Sequence, residues 1–371
     1  MHAKFVRRVA LWIIASLAGG TFVAVAGPLD PPSGPISSTY KTLTEVEPRI
    51  AVNSTNTPGS RDCKFRISQP GSYYLTSDVG AAFLGGGIEI AADGVTLDLM
   101  GYTVRGAADS THGIYTDVSR RGITIRNGVV TGWDQDGIFI KGLQARVEGV
   151  TATLNLGDGI NLESTAVVRG CVAANNGGNG IVTFDHVLVE SCLARDNGSY
   201  GVQVTGSSII ADCSLHNNTA GGLLTTTACV VTNSVAQSND AAGFDLGDAC
   251  SISGCTAQGN VTHGIDVGSK SIARDNTCAS NGGGSVGAGI RVLGSGNLIE
   301  GNNVCTNRFG IQLSSAGNVV TRNVARANTV NWDTVAGNAI LVVDTAAAGA
   351  FSGDAGGTGP GSLDSNANFT Y

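Results

Sequence analysis

Asp245 and Asp266 lie 21 residues apart, each directly after a glycine and an aliphatic or aromatic residue, Gly243-Phe244 and Gly264-Ile265. If the chain repeats at that interval, the two carboxylates fall on adjacent strands about 5 Å apart. Arg291 holds the equivalent place one repeat later, and His263 precedes Asp266 by three positions. Close carboxylates can act as acid and base on a glycoside, or hold Ca2+ that neutralises a uronate. Asp245, Asp266, Arg291 and His263 are therefore the candidate catalytic group. A solvated surface pair relieved by Arg291 explains the same residues without a function.

A second acidic group comprises Asp134, Asp136 and Asp158, with Asn161 nearby, and is the candidate metal site, with Ca2+ as the cation such carboxylates suit. The run Asp134-Gln135-Asp136-Gly137 lacks the other ligands of a twelve-residue calcium loop, and turn chemistry accounts for it equally well. Gly177-Gly178-Asn179-Gly180 resembles a fragment of a nonapeptide calcium repeat but lacks the aspartate.

The nine cysteines are Cys63, Cys171, Cys192, Cys213, Cys229, Cys250, Cys255, Cys278 and Cys305, an odd number that leaves at least one unpaired within a monomer. Cys171, Cys192 and Cys213 form one column at the 21-residue step, continued by Ser234 and Cys255, and Cys229 and Cys250 form another. Stacked at about 4.8 Å, such neighbours could be bridged in an oxidising compartment. Equally, they could be a ladder of thiols packed as small apolar groups. No C-x2-C pair supports a zinc site.

The elements that position these residues come from a repeat. A glycine precedes an apolar residue at Gly137, Gly159, Gly180, Gly201, Gly222, Gly243, Gly264, Gly289 and Gly310, with steps of 21 or 22 residues and one of 25. A second column, Asn155, Asn176, Asn197, Asn218, Asn239, Asn260, Asn281, Asn307 and Asn328, keeps the same step except across the longer coil. After each glycine the chain alternates apolar, variable, apolar, as in Ile160-Asn161-Leu162 and Ile265-Asp266-Val267, the period of a half-buried strand. This predicts an all-β, right-handed parallel β-helix of about ten coils of roughly 21 residues. The asparagines are expected as a ladder at a tight turn, themselves in left-handed backbone conformation.

Residues 1–26 read as a signal peptide: Lys4, Arg7 and Arg8, an apolar run, then Ala24-Val25-Ala26. Residues 27–60, with most of the prolines, are expected as an extended arm, 61–345 as the β-helix with an amino-terminal cap over Phe65–Leu75, and 346–371 as a Gly/Ala/Ser-rich linker or opposite cap. The expected compartment is outside the cytoplasm, periplasmic, extracellular or at the cell surface, and the mature chain should lack a transmembrane segment. A net charge of -7 and 14% charged residues argue against a nucleic-acid partner.

The repeats from Asp158-Gly159-Ile160-Asn161-Leu162 through Cys171-Val172-Ala173-Ala174-Asn175-Asn176 resemble those of the pectate-lyase-like superfamily of right-handed β-helices, over about residues 85–345. The stretches Phe65–Leu75 and Ile88–Leu99 are similar to uncharacterised secreted bacterial β-helix proteins. That resemblance implies a polysaccharide partner bound along an exposed strand face, with lyase or hydrolase activity if the chain is an enzyme; the competing class is a non-catalytic structural or adhesion protein. The Asn-Thr-Asp, Asp-Asp, Gly-His-Gly and Arg-Ile-Lys set of polygalacturonases is missing, so the fold alone assigns no reaction.

If the cysteine columns are packing units, denatured protein should yield most of its nine thiols to a thiol reagent without prior reduction. Recovery of a single thiol would show that bridges dominate.

Overall fold

The computed structural model describes residues 48–81, 84–283, 287–344 and 365–370. The expected signal peptide, most of the expected arm and most of the tail lie outside the described residues. Within residues 48–371 the described chain is all-β.

Three corners per coil shape this solenoid, and each is made the same way. In one coil Gly170, Asn175 and His186 have φ of 60°, 54° and 61°, a left-handed step that turns the strand sharply and swings the next residue inward. The inward residue brings a buried backbone N–H that no strand partner meets, and where its counterpart one coil later is Asn, Ser or Cys, that side chain supplies the acceptor. Asn176 shows the pattern: its N–H donates to Asn197 Oδ1 at 3.1 Å, and its Nδ2 donates to that same oxygen at 3.0 Å and to the Ala152 carbonyl at 3.2 Å. The ladder asparagines are thus buried and are not themselves left-handed; that conformation falls on the residue before, Leu154, Asn175, Asp196, Asn217, Ser238 and their successors. An amide that turned the corner itself would face solvent.

The other two corners carry parallel ladders, and six of the nine cysteines belong to them. At one, Cys171, Cys192, Cys213, Ser234 and Cys255 lead into Asn276, Asn302 and Asn323; Cys213 N–H donates to Ser234 Oγ at 3.1 Å, Ser234 N–H to Cys255 Sγ at 3.4 Å, and Cys255 N–H to Asn276 Oδ1 at 3.0 Å. At the other, Cys229 N–H donates to Cys250 Sγ at 3.4 Å, and Cys250 N–H to Ser271 Oγ at 2.9 Å. All nine cysteines are free thiols, eight of them buried and Cys305 half-buried. Those in the columns do more than fill space, since sulfur stands in for the amide oxygen.

Between corners the strands pair in parallel without slippage. The strand after each glycine builds a thirteen-stranded sheet running from Cys63–Ile67 to Val330–Thr334. The two other strands of each coil merge into a 26-stranded sheet, because Thr124–Thr131 and Arg146–Thr153 run through a corner that later coils split into two three-residue strands. The sequence repeat undercounts the coils because the early ones vary in length: Ile88 pairs with Ile114, and Ile114 with Ile138, steps of 26 and 24 residues. Inward side chains such as Ile138, Ile160, Ile181, Val202, Leu223 and Phe244 are fully buried in a continuous apolar column, which supplies the main stabilisation at about 25 cal/mol per Å2. The glycines are required for close approach. A Cβ on Gly201 would lie 2.7 Å from Asn218 Nδ2 and 2.8 Å from the Gly222 carbonyl.

At the amino-terminal end Ile50 and Ala51 pair with Tyr73 and Tyr74, and Pro58 bridges Phe65 in antiparallel sense. At the other end Asn368–Thr370 pairs with Val324–Arg326, and Asn368 Oδ1 accepts the Asn323 N–H at 2.9 Å, adding one more rung. Among the described residues no helix is long and apolar enough to cross a membrane.

Replacing Asn218 by Leu removes the acceptor of Asn197 and the donor to Ala194 and Asn239 from a site with no exposure. The stability loss measured by chemical denaturation should be roughly 3 kcal/mol, and an unchanged midpoint would contradict the ladder's role.

Candidate functional site

Outward side chains of the thirteen-stranded sheet form one straight row, because each strand is registered on the next. Asp245 pairs with Asp266, and Asp266 with Arg291, although 25 residues separate the latter two. The row begins with Arg66 beside buried Glu89, Nε to Oε1 3.3 Å, then passes Tyr115, Phe139 and Asn161. Val182, Gln203 and Leu224 follow, then the Asp245 group. It closes with Gln312, whose Nε2 donates to Asp333 Oδ2 at 2.8 Å.

The structure brings Asp245, Asp266, Arg291 and His263 together but gives them unequal freedom. Arg291 grips Asp266 side-on, Nε to Oδ1 2.9 Å and Nη2 to Oδ2 2.6 Å, so both carboxylate oxygens are engaged. The Asp266 side chain is only 5% exposed; burial raises its pKa and the Arg291 hydrogen bonds and charge pull it back. Asp245 is half-buried and also raised, by burial first and then by Asp266, with Arg291 opposing. It is the open carboxyl of the pair. His263 is buried, and its Nδ1 accepts the Ala288 N–H of the next coil at 3.0 Å. Burial, with the Arg291 charge, holds its pKa down to about 4, so the ring is neutral and its Nδ1 is occupied.

His263 belongs to a further ladder that the sequence does not announce. In the place before each strand glycine, His112 Nδ1 accepts the Asp136 N–H at 3.2 Å, Asp136 Oδ1 accepts the Asp158 N–H at 2.7 Å, and Asp158 Oδ1 accepts the Asn179 N–H at 2.7 Å. Asn179 Oδ1 in turn accepts the Tyr200 N–H at 3.0 Å. This ladder divides the expected calcium group. Asp136 and Asp158 meet through Asn161, whose Nδ2 reaches Asp136 Oδ2 at 3.3 Å and Asp158 Oδ2 at 3.1 Å, but Asp134 is directed elsewhere, its Oδ2 accepting the Asp109 N–H at 2.6 Å. Among the described residues no three His, Cys, Asp or Glu side chains gather to hold a metal ion. Both oxygens of Asp136 and of Asp158 accept N–H donors.

Around Asp136 lie groups that the sequence reading did not assemble. His112 stacks on Phe139 with centroids 4.6 Å apart, Lys141 Nζ sits 5.2 Å from the Phe139 centroid, and Tyr115 tilts against His112 at 5.9 Å. Burial raises Asp136 to about 6 and lowers His112 to about 4. The missed signal is columnar: Tyr115 and Phe139 precede Asn161 in the outward row, and His112 precedes Asp136 in the ladder.

A parallel solenoid with one straight outward row of rings, amides and charges is the class these features define. The chain matches the family described as "Right handed beta helix region" over residues 86–235 and 223–354, and it belongs to that family. No curated protein matches it in sequence. Among solved structures it is similar to the A-module of the Azotobacter vinelandii mannuronan C-5 epimerase AlgE4, at 16% identity and a TM-score of 0.65, covering 72% of this chain and 90% of that one. The AlgE6 A-module of the same organism gives 15% and 0.59, with coverage of 73% and 89%. The tailspike protein of E. coli bacteriophage HK620, in a mutant form in complex with a pentasaccharide, gives 12% and 0.54, with 81% and 71% covered. At these identities the likeness concerns the fold.

Because the folded state holds His263 neutral with a pKa lowered to about 4, its contribution is fully present above the unfolded value near 6.5 and is lost as pH falls towards 4. Asn at this position keeps an acceptor, as Asn179 does in the same ladder. His263→Asn should therefore fold like the wild type at pH 7.5 and lose about 2 kcal/mol less than it on acidification to pH 4.5, measured by thermal unfolding across that range. Identical pH profiles would remove the titrating role.

Proposed function

We propose that the chain is an exported protein that binds polysaccharide along the outward row of the thirteen-stranded sheet. The observation that carries this reading is the row itself: rings, amides and charges with two aliphatic side chains, most of them half-buried, follow one another in straight register for thirteen coils. Such a surface suits an extended ligand that offers hydroxyls and C–H faces at regular intervals. The pentasaccharide in the HK620 tailspike complex supports it as an example of a saccharide held by a protein of this fold. The apolar run after Lys4, Arg7 and Arg8 and the Ala24-Val25-Ala26 site support export.

The same geometry favours binding over cleavage at the Asp245 group. Hydrolysis by paired carboxyl groups needs both to reach the glycosidic bond, and here Arg291 occupies both oxygens of Asp266 while His263 Nδ1 is committed to Ala288. In this reading Asp245 accepts sugar hydroxyls, and the Asp266–Arg291 pair offers the remaining guanidinium N–H groups.

A glycan array, with reducing-sugar and unsaturated-uronate assays on the hits, tests both parts. Asp245→Asn should weaken binding by roughly tenfold with an unchanged melting temperature, as for one charge-assisted hydrogen bond. No glycan bound, or equal binding by the variant, overturns the reading, and product release from a bound glycan overturns its non-catalytic part.

A further inference from the structure

A second flank of the solenoid, built by the strand that leads into the cysteine corner of each coil, carries a pattern that folding does not require. The middle residue of this strand points inward and is fully buried, as Val168, Ile210 and Val231 are, so its first and third residues point outward. Parallel register stacks the strands without slippage through seven coils, from Val167–Arg169 to Leu298–Glu300. The first outward column reads Val167, Leu188, Ile209, Val230, Ser251, Ile272 and Leu298, with Ser251 its single polar member. Ile209 is 49% exposed, Val230 40% and Ile272 38%. At about 4.8 Å per coil this is an apolar stripe roughly 30 Å long that faces solvent. Scattered aliphatic residues on a surface need no explanation, whereas a continuous stripe marks a contact surface.

The third outward place identifies the partner. Along the same seven coils it reads Arg169, Glu190, Ala211, Thr232, Ser253, Arg274 and Glu300. Within the chain the charges pair as neighbours, Arg169 Nε with Glu190 Oε2 at 2.6 Å and Arg274 Nη2 with Glu300 Oε2 at 2.8 Å. Arg322, just past the stripe, also reaches Glu300 at 3.0 Å. Thr232 is the centre of the series, and reversing the order about it exchanges every arginine with a glutamate. Arg169 then opposes Glu300, Glu190 opposes Arg274, and Ala211 opposes Ser253. The apolar column has its centre on the same strand, at Val230, and its reversal sets Val167 against Leu298 and Leu188 against Ile272. A second copy laid face to face with its solenoid reversed, the two-fold axis running along Val230–Thr232, therefore meets each charge with its opposite and most of the stripe with aliphatic groups.

Other arrangements fail on the same residues. With the two solenoids parallel, the charged column of each copy would lie against the apolar column of the other, and its charges would be desolvated without partners. A slip of one coil in the antiparallel arrangement brings Glu190 against Glu300 in one direction and Arg169 against Arg274 in the other. We propose that this flank is a dimer interface whose partner is a second copy of this chain, antiparallel and centred on Val230–Thr232. Sheets packed face to face lie about 10 Å apart, a gap that Arg and Glu side chains span from both sides. Each end of the stripe then holds two arginines and two glutamates in alternation. The stripe covers roughly 300 Å2 on each copy, less than the ~800 Å2 per partner of a standard complex. Monomer and dimer therefore exchange, and the charges set the register more than the strength.

Sedimentation velocity of the purified protein over a range of concentrations should show a reversible monomer–dimer equilibrium. Val230→Lys sets two like charges together on the two-fold axis, at a place exposed in the single chain, and should weaken dimerisation roughly tenfold or more with an unchanged melting temperature. Glu190→Arg alone, which faces Arg274 of the second copy, and Arg274→Glu alone, which faces Glu190 of the second copy, should each weaken it as well. Combining Glu190→Arg with Arg274→Glu decides the register. The combination breaks both pairs within the chain, because Arg169 then neighbours an arginine and Glu300 a glutamate. Across the interface it sets two positive groups of one copy opposite two carboxylates of the other, so dimerisation should return to wild-type strength or better. Charges that served the single chain alone would give a combined variant no better than the single ones. A protein that stays monomeric at every concentration, a dimer indifferent to Val230→Lys, or a combined variant that does not recover would each overturn the proposal.

Discussion

Every corner of this solenoid creates a buried backbone N–H, and the structure depends on how that donor is met. An unmet amide in an apolar interior costs about 1–3 kcal/mol, and three corners recur in most coils. Where the counterpart in the next coil is Asn, Ser or Cys, its side chain accepts that N–H, and Asn368 supplies the last acceptor at one corner. Asn suits the task because its oxygen accepts from both the N–H and the amide of the coil before while its own amide reaches a further carbonyl, as Asn260 does in accepting from Asn239 and donating to Ala236.

The same requirement explains residues that otherwise look functional. Cys250, Cys255 and Ser234 accept backbone N–H groups where Asn stands in other coils. His112, Asp136, Asp158 and His263 do so at the edge of the thirteen-stranded sheet. A thiol column and a string of acidic and imidazole groups, each suggestive of redox or metal chemistry, are ladder members first. The outward row differs, because there strand pairing satisfies the backbone without the side chains.

Regularity also fixes the layout of the outward surface. Coils stacked in register present side chains at constant spacing, so the character of that surface is set by which residues occupy successive outward places.

The sequence alone determined the parallel β-helix, the asparagine ladder and the stacking of Asp245 on Asp266, because all three follow from a fixed interval repeated along the coils. The coils before Gly137 were harder to count since their lengths differ, and only the strand registers of Ile88, Ile114 and Ile138 join them to the rest. Tertiary structure decided the roles of individual groups. That Arg291 takes both oxygens of Asp266, that His263 Nδ1 accepts a backbone N–H, and that Asp134 turns from Asp136 depend on rotamers and on which donors the next coil presents. Likewise the left-handed residue is Asn175 rather than Asn176, because burying the ladder amide requires the turn to come one residue earlier. A repeat interval specifies which residues are neighbours, and the direction of each side chain is settled only when the corners have closed.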